Sequence, residues 1–190
     1  MNDLPEFRKF GSIPRLKRGC VITEKIDGTN AQVHVTEDGR VLAGSRNRWL
    51  TVDDDNFGFA QWVQDNADQL RTTLGPGSHY GEWWGSGIQR RYGLAEKRFS
   101  LFNVGRWTGR MEGCCHVVPV LYSGEFSVQA VDNALLDLDE FGSMAAPGFR
   151  DPEGIVVRLS ASGHLYKVTL DGDGHKFVNN KTGDTQHDRP

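Results

Sequence analysis

The stretch EKIDGTN, residues 24–30, places Lys25 between a β-favouring segment, residues 20–24, and an Asp-Gly turn. Residues 31–36 then alternate apolar and polar side chains, which predicts a second strand. A lysine in such a position can act as a nucleophile when its amine is unprotonated, and neighbouring cations favour that state. We therefore expect a net cationic pocket around Lys25. A lone Lys-x-Asp-Gly tetrapeptide is usually a solvated hairpin, so the assignment depends on the rest of the chain.

The pattern on either side of this stretch predicts an α+β fold with an antiparallel meander and a few covering helices. Residues 37–40, EDGR, supply a turn into the apolar run 41–43. Apolar residues at helical spacing predict one helix from Phe59 to Leu70 and a second helix over residues 128–138, after a Ser127 cap. Further strands are expected at residues 78–83, 99–104, 116–122, 154–159 and 165–170.

Composition limits the class of protein. The chain has 190 residues, of which 37% are hydrophobic and 25% are charged, and this suits one globular domain. We assign the domain to residues 1–178 and a polar, flexible tail to residues 179–190. The formal charge of -3 excludes a wholly basic coat for nucleic acid, so any polyanion must meet a local patch. Three cysteines without zinc-site spacing, together with the lack of a long apolar run, predict a cytoplasmic protein that does not enter membranes.

Six short elements follow one another along the chain: KIDGTN at 25–30, SRNR at 45–48, YGEWWG at 80–85, FSLFNV at 99–104, EGIVVR at 153–158 and LYKVT at 165–169. Their types and order resemble the motifs of the covalent nucleotidyltransferases, the superfamily of DNA ligases, RNA ligases and capping enzymes. The resemblance extends over most of the chain, and a chance match of this many elements in order is remote. Asn30 after Asp-Gly-Thr is more similar to RNA ligases, in particular the branch that seals nicks in duplex RNA, than to capping enzymes.

The resemblance implies a fold of two antiparallel β-sheets flanked by helices, with the nucleotide between them. It also implies three reaction steps with ATP and Mg²⁺ or Mn²⁺. Lys25 attacks the α-phosphate of ATP while the metal assists the departure of pyrophosphate. AMP then passes to an RNA 5′-phosphate, and a 3′-hydroxyl displaces AMP to seal the strand.

Each motif also supplies a side chain whose chemistry suits a nucleotide site. Arg46 and Arg48, two residues apart on an extended segment, can present forked donors to phosphate, although solvated arginines are an equally ordinary explanation. An aromatic at strand spacing such as Phe102 is more often core, and the resemblance is what favours stacking on adenine. The other roles come from family position: Asp27 in the nucleophile motif, Glu24 and the Ile26 backbone at the adenine edge, Asn30 beside the nucleotide, Glu82 at the ribose, Glu153 at the metal, and Arg158 and Lys167 at the phosphates.

The sequence departs from the family in two respects. The motif that LYKVT resembles, at residues 165–169, usually has two lysines separated by one residue, whereas here Lys167 is followed two positions later by Thr169. A hairpin turn after residue 170 suggests that Lys176 supplies the missing charge. Only some twenty residues follow this motif, so we expect neither an OB fold nor a separate C-terminal domain. Phosphate contacts would then come from two basic clusters that can equally be solvated faces: Arg8, Lys9, Arg15, Lys17 and Arg18, and Arg90, Arg91, Lys97 and Arg98.

We therefore predict an ATP-dependent RNA ligase that acts as a monomer on RNA with 5′-phosphate and 3′-hydroxyl ends, with further repair proteins as candidate partners. Two alternatives within enzymes are a DNA ligase and a GTP-dependent capping enzyme. A third alternative is a nucleic-acid-binding relative without turnover. The presence of Lys25, Glu82, Glu153 and Lys167 argues against this third alternative, because a decayed site has no reason to keep four charges together.

Overall fold

The computed structural model describes residues 6–13, 15–107 and 113–171. Within them the chain forms an α+β fold with two β-sheets, as predicted, and three helices. The strands are β1 (Gly19–Lys25), β2 (Thr29–Val35), β3 (Val41–Ser45), β4 (Trp49–Leu50), β5 (Gly77–Gly85), β6 (Lys97–Leu101), β7 (Cys115–Val117), β8 (Val120–Glu125), β9 (Gly154–Leu159) and β10 (Leu165–Thr169). The helices are α1 (Phe59–Asp65), α2 (Ala67–Leu74) and α3 (Val128–Phe141). Among these described helices, none is long and apolar enough to cross a membrane.

The strands divide between a small sheet and a large sheet. The small sheet has the strand order β10-β9-β1-β8, and the large sheet has the order β4-β3-β2-β5-β6-β7. Helix α3 packs its apolar stripe, including Leu135 and Leu138, against Ile22 and Ile155 of the small sheet. Helices α1 and α2 cover the large sheet in the same way. Both sheets therefore bury one face under helices.

The covered face of the large sheet carries the main hydrophobic core. Val33, Val35 and Phe99 lie there against Phe59 and Leu70 of the helices, and all five side chains are buried. Strand periodicity sends the alternate residues of β2 to the opposite face, which is why that strand alternates polar and apolar side chains. The uncovered faces of the two sheets are thus left to form a polar cleft.

The chain crosses from the small sheet to the large sheet at residues 26–28, between β1 and β2. Gly28 permits this crossing because a Cβ at that position would lie 2.4 Å from the Trp83 carbonyl oxygen and 2.7 Å from the Trp84 Cβ. Ile26 packs beside Trp84 and Tyr92 in a third apolar cluster. The Asp-Gly turn identified in the sequence is therefore the junction between the two sheets.

The structure corrects three details of the predicted elements. The helix predicted from Phe59 to Leu70 is two helices that meet at Asn66, whose φ of -109° and ψ of 14° are not helical. The strand predicted at residues 116–122 is interrupted at Pro119, so that β7 joins the large sheet and β8 joins the small sheet. The pair β6 and β7 is parallel, so the large sheet is not wholly antiparallel. The predicted Ser127 cap is confirmed, since its Oγ accepts from the Ala130 N–H at 3.1 Å.

Candidate active site

A cleft of about 1010 Å³ lies between the uncovered faces of the two sheets. The small sheet contributes side chains from β1, β9 and β10, because the alternate residues of these strands face the cleft. The large sheet contributes side chains from β2, β5 and the segments that follow β3 and β6. Residues from both sides include Thr23, Lys25, Val156, Arg158 and Leu165, and Asn30, Arg46, Tyr80, Glu82 and Phe102.

Lys25, the predicted nucleophile, ends β1 and lines this cleft. Its Nζ lies 2.5 Å from Glu153 Oε2, and the two side chains are only 24% and 18% exposed. Strand pairing sets this contact, because Lys25 is paired with Gly154, the residue that follows Glu153. The nearest partner of the amine is thus a carboxylate. The cleft as a whole is lined by more cationic than anionic side chains, as expected: Lys25, Arg46, Arg48, Arg106 and Arg158 against Glu24, Asp27 and Glu82.

Glu82 connects the crossing segment to the large sheet. Its Oε1 accepts from the Gly28 N–H at 3.1 Å, and its Oε2 accepts from Asn30 Nδ2 at 3.0 Å. Asn30 in turn accepts from Arg46 Nε at 2.9 Å through its Oδ1. Three of the predicted site residues therefore form one hydrogen-bonded row beside Lys25, and the order of donors fixes which amide atom of Asn30 faces each partner.

The Glu82 carboxyl is 7% exposed, and burial raises its pKa to about 7. The hydrogen bonds from Asn30 and Gly28 and the charge of Lys25 oppose this rise, whereas the negative charge of Glu153 adds to it. Glu82 is therefore a carboxyl group whose protonation changes near neutral pH.

Asp27 is held by a residue that the motifs did not indicate. Arg90 Nε lies 3.3 Å from Asp27 Oδ2, while its two terminal nitrogens lie 2.7 Å from Asp151 Oδ1 and 2.7 Å from Asp171 Oδ2. One guanidinium thus joins the crossing segment to the segment before β9 and to the end of β10. The hydrogen bond to Asp171 is the largest of several contributions that raise the pKa of Arg90, so its charge is permanent.

The backbone around Arg90 is unusual. Gln89, Arg91 and Tyr92 all have positive φ, at 41°, 59° and 51°, a region that side chains other than glycine seldom adopt. The Tyr92 hydroxyl accepts from the Asp27 N–H at 2.8 Å, and burial raises the pKa of this phenol. The strained segment therefore fixes both the backbone and the carboxylate of Asp27.

Glu24, predicted to contact adenine, is buried behind the strand that carries Lys25. The side chain of Glu24 is 1% exposed and lies on the opposite face of β1 from Lys25, where it accepts from Ser143 Oγ at 2.5 Å and from the Ala145 N–H at 2.9 Å. Desolvation raises the pKa of Glu24, and these hydrogen bonds oppose it. Glu24 also borders the cleft, and a carboxylate has further lone pairs, so a contact with adenine stays a prediction.

Lys167 belongs to the cleft face by register, because it pairs with Val156, and Val156 pairs with Thr23 on β1. It nevertheless lies two strands away from β1 and is exposed, and it is not among the residues that line the cleft. Arg158, Phe102 and the Ile26 segment do line it. Lys176 and its predicted pairing fall outside the described residues.

The second basic cluster proposed for phosphate binding is largely occupied within the protein. Arg90 holds three carboxylates, and Lys97 donates to the Phe57 carbonyl oxygen at 2.7 Å. Arg98 pairs with Glu96 at 2.5 Å. Arg91 is exposed, and phosphate binding by this cluster stays a prediction. In the first cluster, Arg18 lies 3.3 Å from Glu125, and both of these side chains are well exposed.

Arg90 and Tyr92, which hold Asp27, were not identified as site residues from the sequence, and neither was Arg106, which lines the cleft. Both Arg90 and Tyr92 stand in the run QRRYG between two motifs, where the sequence suggested for Arg90 either a phosphate contact or a solvated face. Its partners Asp27, Asp151 and Asp171 are distant in the chain, so local spacing carries no signal for them.

The carboxylates near Lys25 are compatible with a magnesium ion that is bound together with nucleotide phosphates. Within the described residues, no group of three or more His, Cys, Asp or Glu side chains could hold a metal alone. Mg²⁺ is commonly bound by one or two carboxylates, water and substrate phosphates, and Glu153, 2.5 Å from the Lys25 amine, could supply one such carboxylate.

The RNA ligase family model matches residues 18–169, well over half of the chain, and the chain therefore belongs to the RNA ligase family. All six motifs lie within the matched residues. No significant match was found among curated protein sequences.

Solved structures with the same fold come from an RNA ligase of Naegleria gruberi. A mutant with ATP and Mn has a TM-score of 0.57 and 17% identity, over 81% of this chain and 50% of that one. An apo mutant has a TM-score of 0.57 and 19% identity, over 80% and 49% of the two chains. A mutant with AMP and Mn has a TM-score of 0.56 and 19% identity over the same shares. At this identity the likeness shows the ligase adenylyltransferase fold, and the chain spans about half the length of these structures.

Proposed function

We propose that the protein is an ATP-dependent RNA ligase that forms a covalent lysyl-AMP intermediate on Lys25. The observation that carries this proposal is the position of Lys25, whose amine lies in the cleft 2.5 Å from Glu153 and beside the row of Glu82, Asn30 and Arg46. Membership of the RNA ligase family supports the same activity.

In the first step the Lys25 Nζ forms a bond to the α-phosphorus of ATP, and the bond from this phosphorus to the bridging oxygen of pyrophosphate breaks. The chain contributes mainly by positioning and by charge, because phosphoryl-type transition states leave little other work for protein groups. Arg46 and Arg158 line the cleft from opposite sheets and can contact phosphate oxygens from two sides. When bound at Glu153, Mg²⁺ would neutralise part of the phosphate charge.

The nucleoside would occupy the remaining part of the cleft. Phe102 is 42% exposed there and can stack on adenine, and Glu82 can accept from ribose hydroxyls. AMP would then pass to the RNA 5′-phosphate, and the 3′-hydroxyl would attack the activated phosphate with AMP as the leaving group. Lys167 would add positive charge at the edge of the cleft.

Finer features of the proposal come from the sequence resemblance. Asn30 supports a relationship to the branch of RNA ligases that seals nicks in duplex RNA. Mg²⁺ or Mn²⁺ would be the metal, and RNA with 5′-phosphate and 3′-hydroxyl ends would be the substrate. We also propose a monomer located in the cytoplasm, and the three free thiols Cys20, Cys114 and Cys115 suit a reducing compartment.

A sealing assay tests the activity. Labelled RNA with a 5′-phosphate is offered as single strands with free ends, as a broken stem-loop and as a nicked duplex, each beside its DNA counterpart, with ATP or GTP and Mg²⁺. We expect sealed RNA with ATP, no sealing by Lys25→Arg, and normal sealing by the exposed control Arg40→Lys, which lies in the turn between β2 and β3.

Pre-adenylylated RNA isolates the last step, which needs no lysyl-AMP, so Lys25→Arg should still seal it. Sealing of DNA alone, use of GTP, or RNA binding without any sealing would contradict the proposal. These outcomes correspond to a DNA ligase, a capping-type enzyme and a non-catalytic relative.

A further inference from the structure

One transverse row of the large sheet carries exposed aromatic side chains from one side of the sheet towards the other. Trp49 is paired with Gly44, Gly44 with Gln32, and Gln32 with Tyr80. The Phe102 N–H donates to the Tyr80 carbonyl oxygen at 2.9 Å, which continues the row by one strand. Directly paired residues share a face, so these side chains stand on the same side of the sheet.

This face is the one that lines the cleft. The neighbouring row, two residues along each strand, contains Glu82 paired with Asn30, with Arg46 bonded to Asn30. Tyr80 and Phe102 line the cleft, and Trp49 lies outside it. With strands about 4.8 Å apart, the row from Trp49 to Phe102 is roughly 19 Å long. It thus leads from the proposed nucleotide site out to β4.

The aromatic side chains of the row are unusually exposed. Trp49 is 55% exposed, Tyr80 58% and Phe102 42%. Gly44 allows the indole to lie across the sheet, because a Cβ there would be 3.2 Å from Trp49 Cε3. The His34 ring packs edge-on against the indole at a centroid distance of 5.8 Å. The Trp49 ring is therefore positioned by its neighbours without being buried by them.

The polar groups around the row indicate what covers it. Gln32 and His34 bond to Ser78 within the face, which does not suit a dry apolar partner. Arg46 and Arg48 line the same cleft as Tyr80 and Phe102, where Arg46 also bonds to Asn30 and Arg48 also pairs with Asp54. Aromatic rings with nearby arginines are the surface on which unpaired nucleobases stack while their phosphates meet positive charge. The row is also continuous with the residues that would activate an RNA end.

We infer that the Trp49–Tyr80 end of this row is a stacking platform for unpaired nucleotides of the RNA next to the break. The inference rests on the proposed function and narrows its substrate to RNA whose break lies in an unpaired region. Bases inside a duplex are already stacked and cannot lie on the sheet. The nick suggested by the resemblance at Asn30 and the unpaired end suggested by the row are therefore separable by experiment.

The test measures RNA affinity without ATP, so that no turnover occurs. The fluorescence anisotropy of a short labelled single-stranded RNA is compared with that of a nicked duplex for wild type, Trp49→Ala, Trp49→Phe and Phe141→Ala. Phe141 is 65% exposed at the end of α3 and controls for the loss of an exposed aromatic. Lysyl-AMP formation from ATP alone is measured for each variant.

We expect Trp49→Ala to weaken single-stranded RNA binding roughly 5- to 150-fold, the range for loss of one base-stacking aromatic, and to affect the nicked duplex much less. Trp49→Phe should keep most of the affinity, and Phe141→Ala should bind as wild type does. RNA should also quench tryptophan emission in the wild type more than in Trp49→Phe. All variants should form lysyl-AMP normally, because Trp49 lies outside the nucleotide cleft.

The inference is overturned if Trp49→Ala binds single-stranded RNA as tightly as the wild type does, or if only duplex binding falls. A concentration-dependent dimer that Trp49→Ala dissociates would also overturn it, because a second copy would then cover the row. Absence of lysyl-AMP in the wild type would instead refute the proposed function. If RNA binding still depended on Trp49 in that case, the stacking of unpaired nucleotides on the row would still be supported.

Discussion

Glu82→Gln should change the pH dependence of folding stability in a way that follows from the burial of one carboxyl group. In the folded protein this group is 7% exposed and its pKa is about 7, against an ordinary value of 4.5. The folded state therefore retains a proton that the unfolded state loses at a lower pH. Glutamine preserves the shape of the side chain but cannot ionise.

The sign follows from linkage. A raised pKa contributes stability that is fully present below pH 4.5 and is lost as pH rises through 7, because ionisation of the buried group then opposes folding. The difference between a pKa of 4.5 in the unfolded chain and about 7 in the folded protein corresponds to about 3 kcal/mol of folding stability. In a domain of this size each kcal/mol is about 2–4 °C in Tm, so wild type should fall by roughly 6–12 °C relative to Glu82→Gln between pH 4.5 and pH 8.

Thermal unfolding of the two proteins from pH 4.5 to pH 8 measures this difference. Glu140→Gln on α3 removes an exposed carboxylate and controls for the change in net charge. The absolute stability of Glu82→Gln will also reflect its altered contact with Asn30, so the test is the change in the difference with pH. Parallel curves for wild type and Glu82→Gln would refute the assignment of a raised pKa to Glu82.

Three further perturbations test the geometry around Lys25. Arg90→Met should lower the free energy of unfolding by about 1–2 kcal/mol, a modest loss because two of the three carboxylate partners of Arg90 are well exposed and form weak pairs. It should also slow adenylylation, because Asp27 would lose its partner. Arg91→Met should have neither effect. Gly154→Ala should lower the free energy of unfolding by about 3 kcal/mol, since φ is +150° and the new Cβ would lie 2.2 Å from the Val168 carbonyl oxygen. The control Gly163→Ala, with φ of +72° but open space around the new Cβ, should lower it by about 1 kcal/mol. Glu153→Gln should raise the Mg²⁺ concentration needed for half-maximal adenylylation, and an unchanged metal titration would contradict the role of Glu153.

The sequence was most informative where local pattern and chemistry coincide. The alternation of residues 31–36 and the Asp-Gly turn predicted β2 and the turn before it, although not that this turn joins two sheets. The structure brings Lys25, Asn30 and Glu82 into one cleft, as the resemblance implied. The Ser127 cap was readable for the same reason, because its partner lies three residues away.

The sequence was least informative where distant segments meet or where a pattern continues through a break. Arg90 and its three carboxylates come from separate segments, so nothing local distinguishes it from a solvated arginine. Ala67 and Leu70 continue the helical spacing although the helix ends at Asn66. The aromatic row combines residues from several strands, and strand order is needed before Trp49 and Tyr80 can be placed on one face.

The most direct test of the account is the intact mass of the purified protein after incubation with ATP and Mg²⁺, followed by peptide mapping. The account predicts one added AMP, located on Lys25, lost on addition of pyrophosphate and absent from Lys25→Arg. An adduct from GTP in place of ATP, an adduct on another lysine, or an unmodified wild-type protein would contradict it.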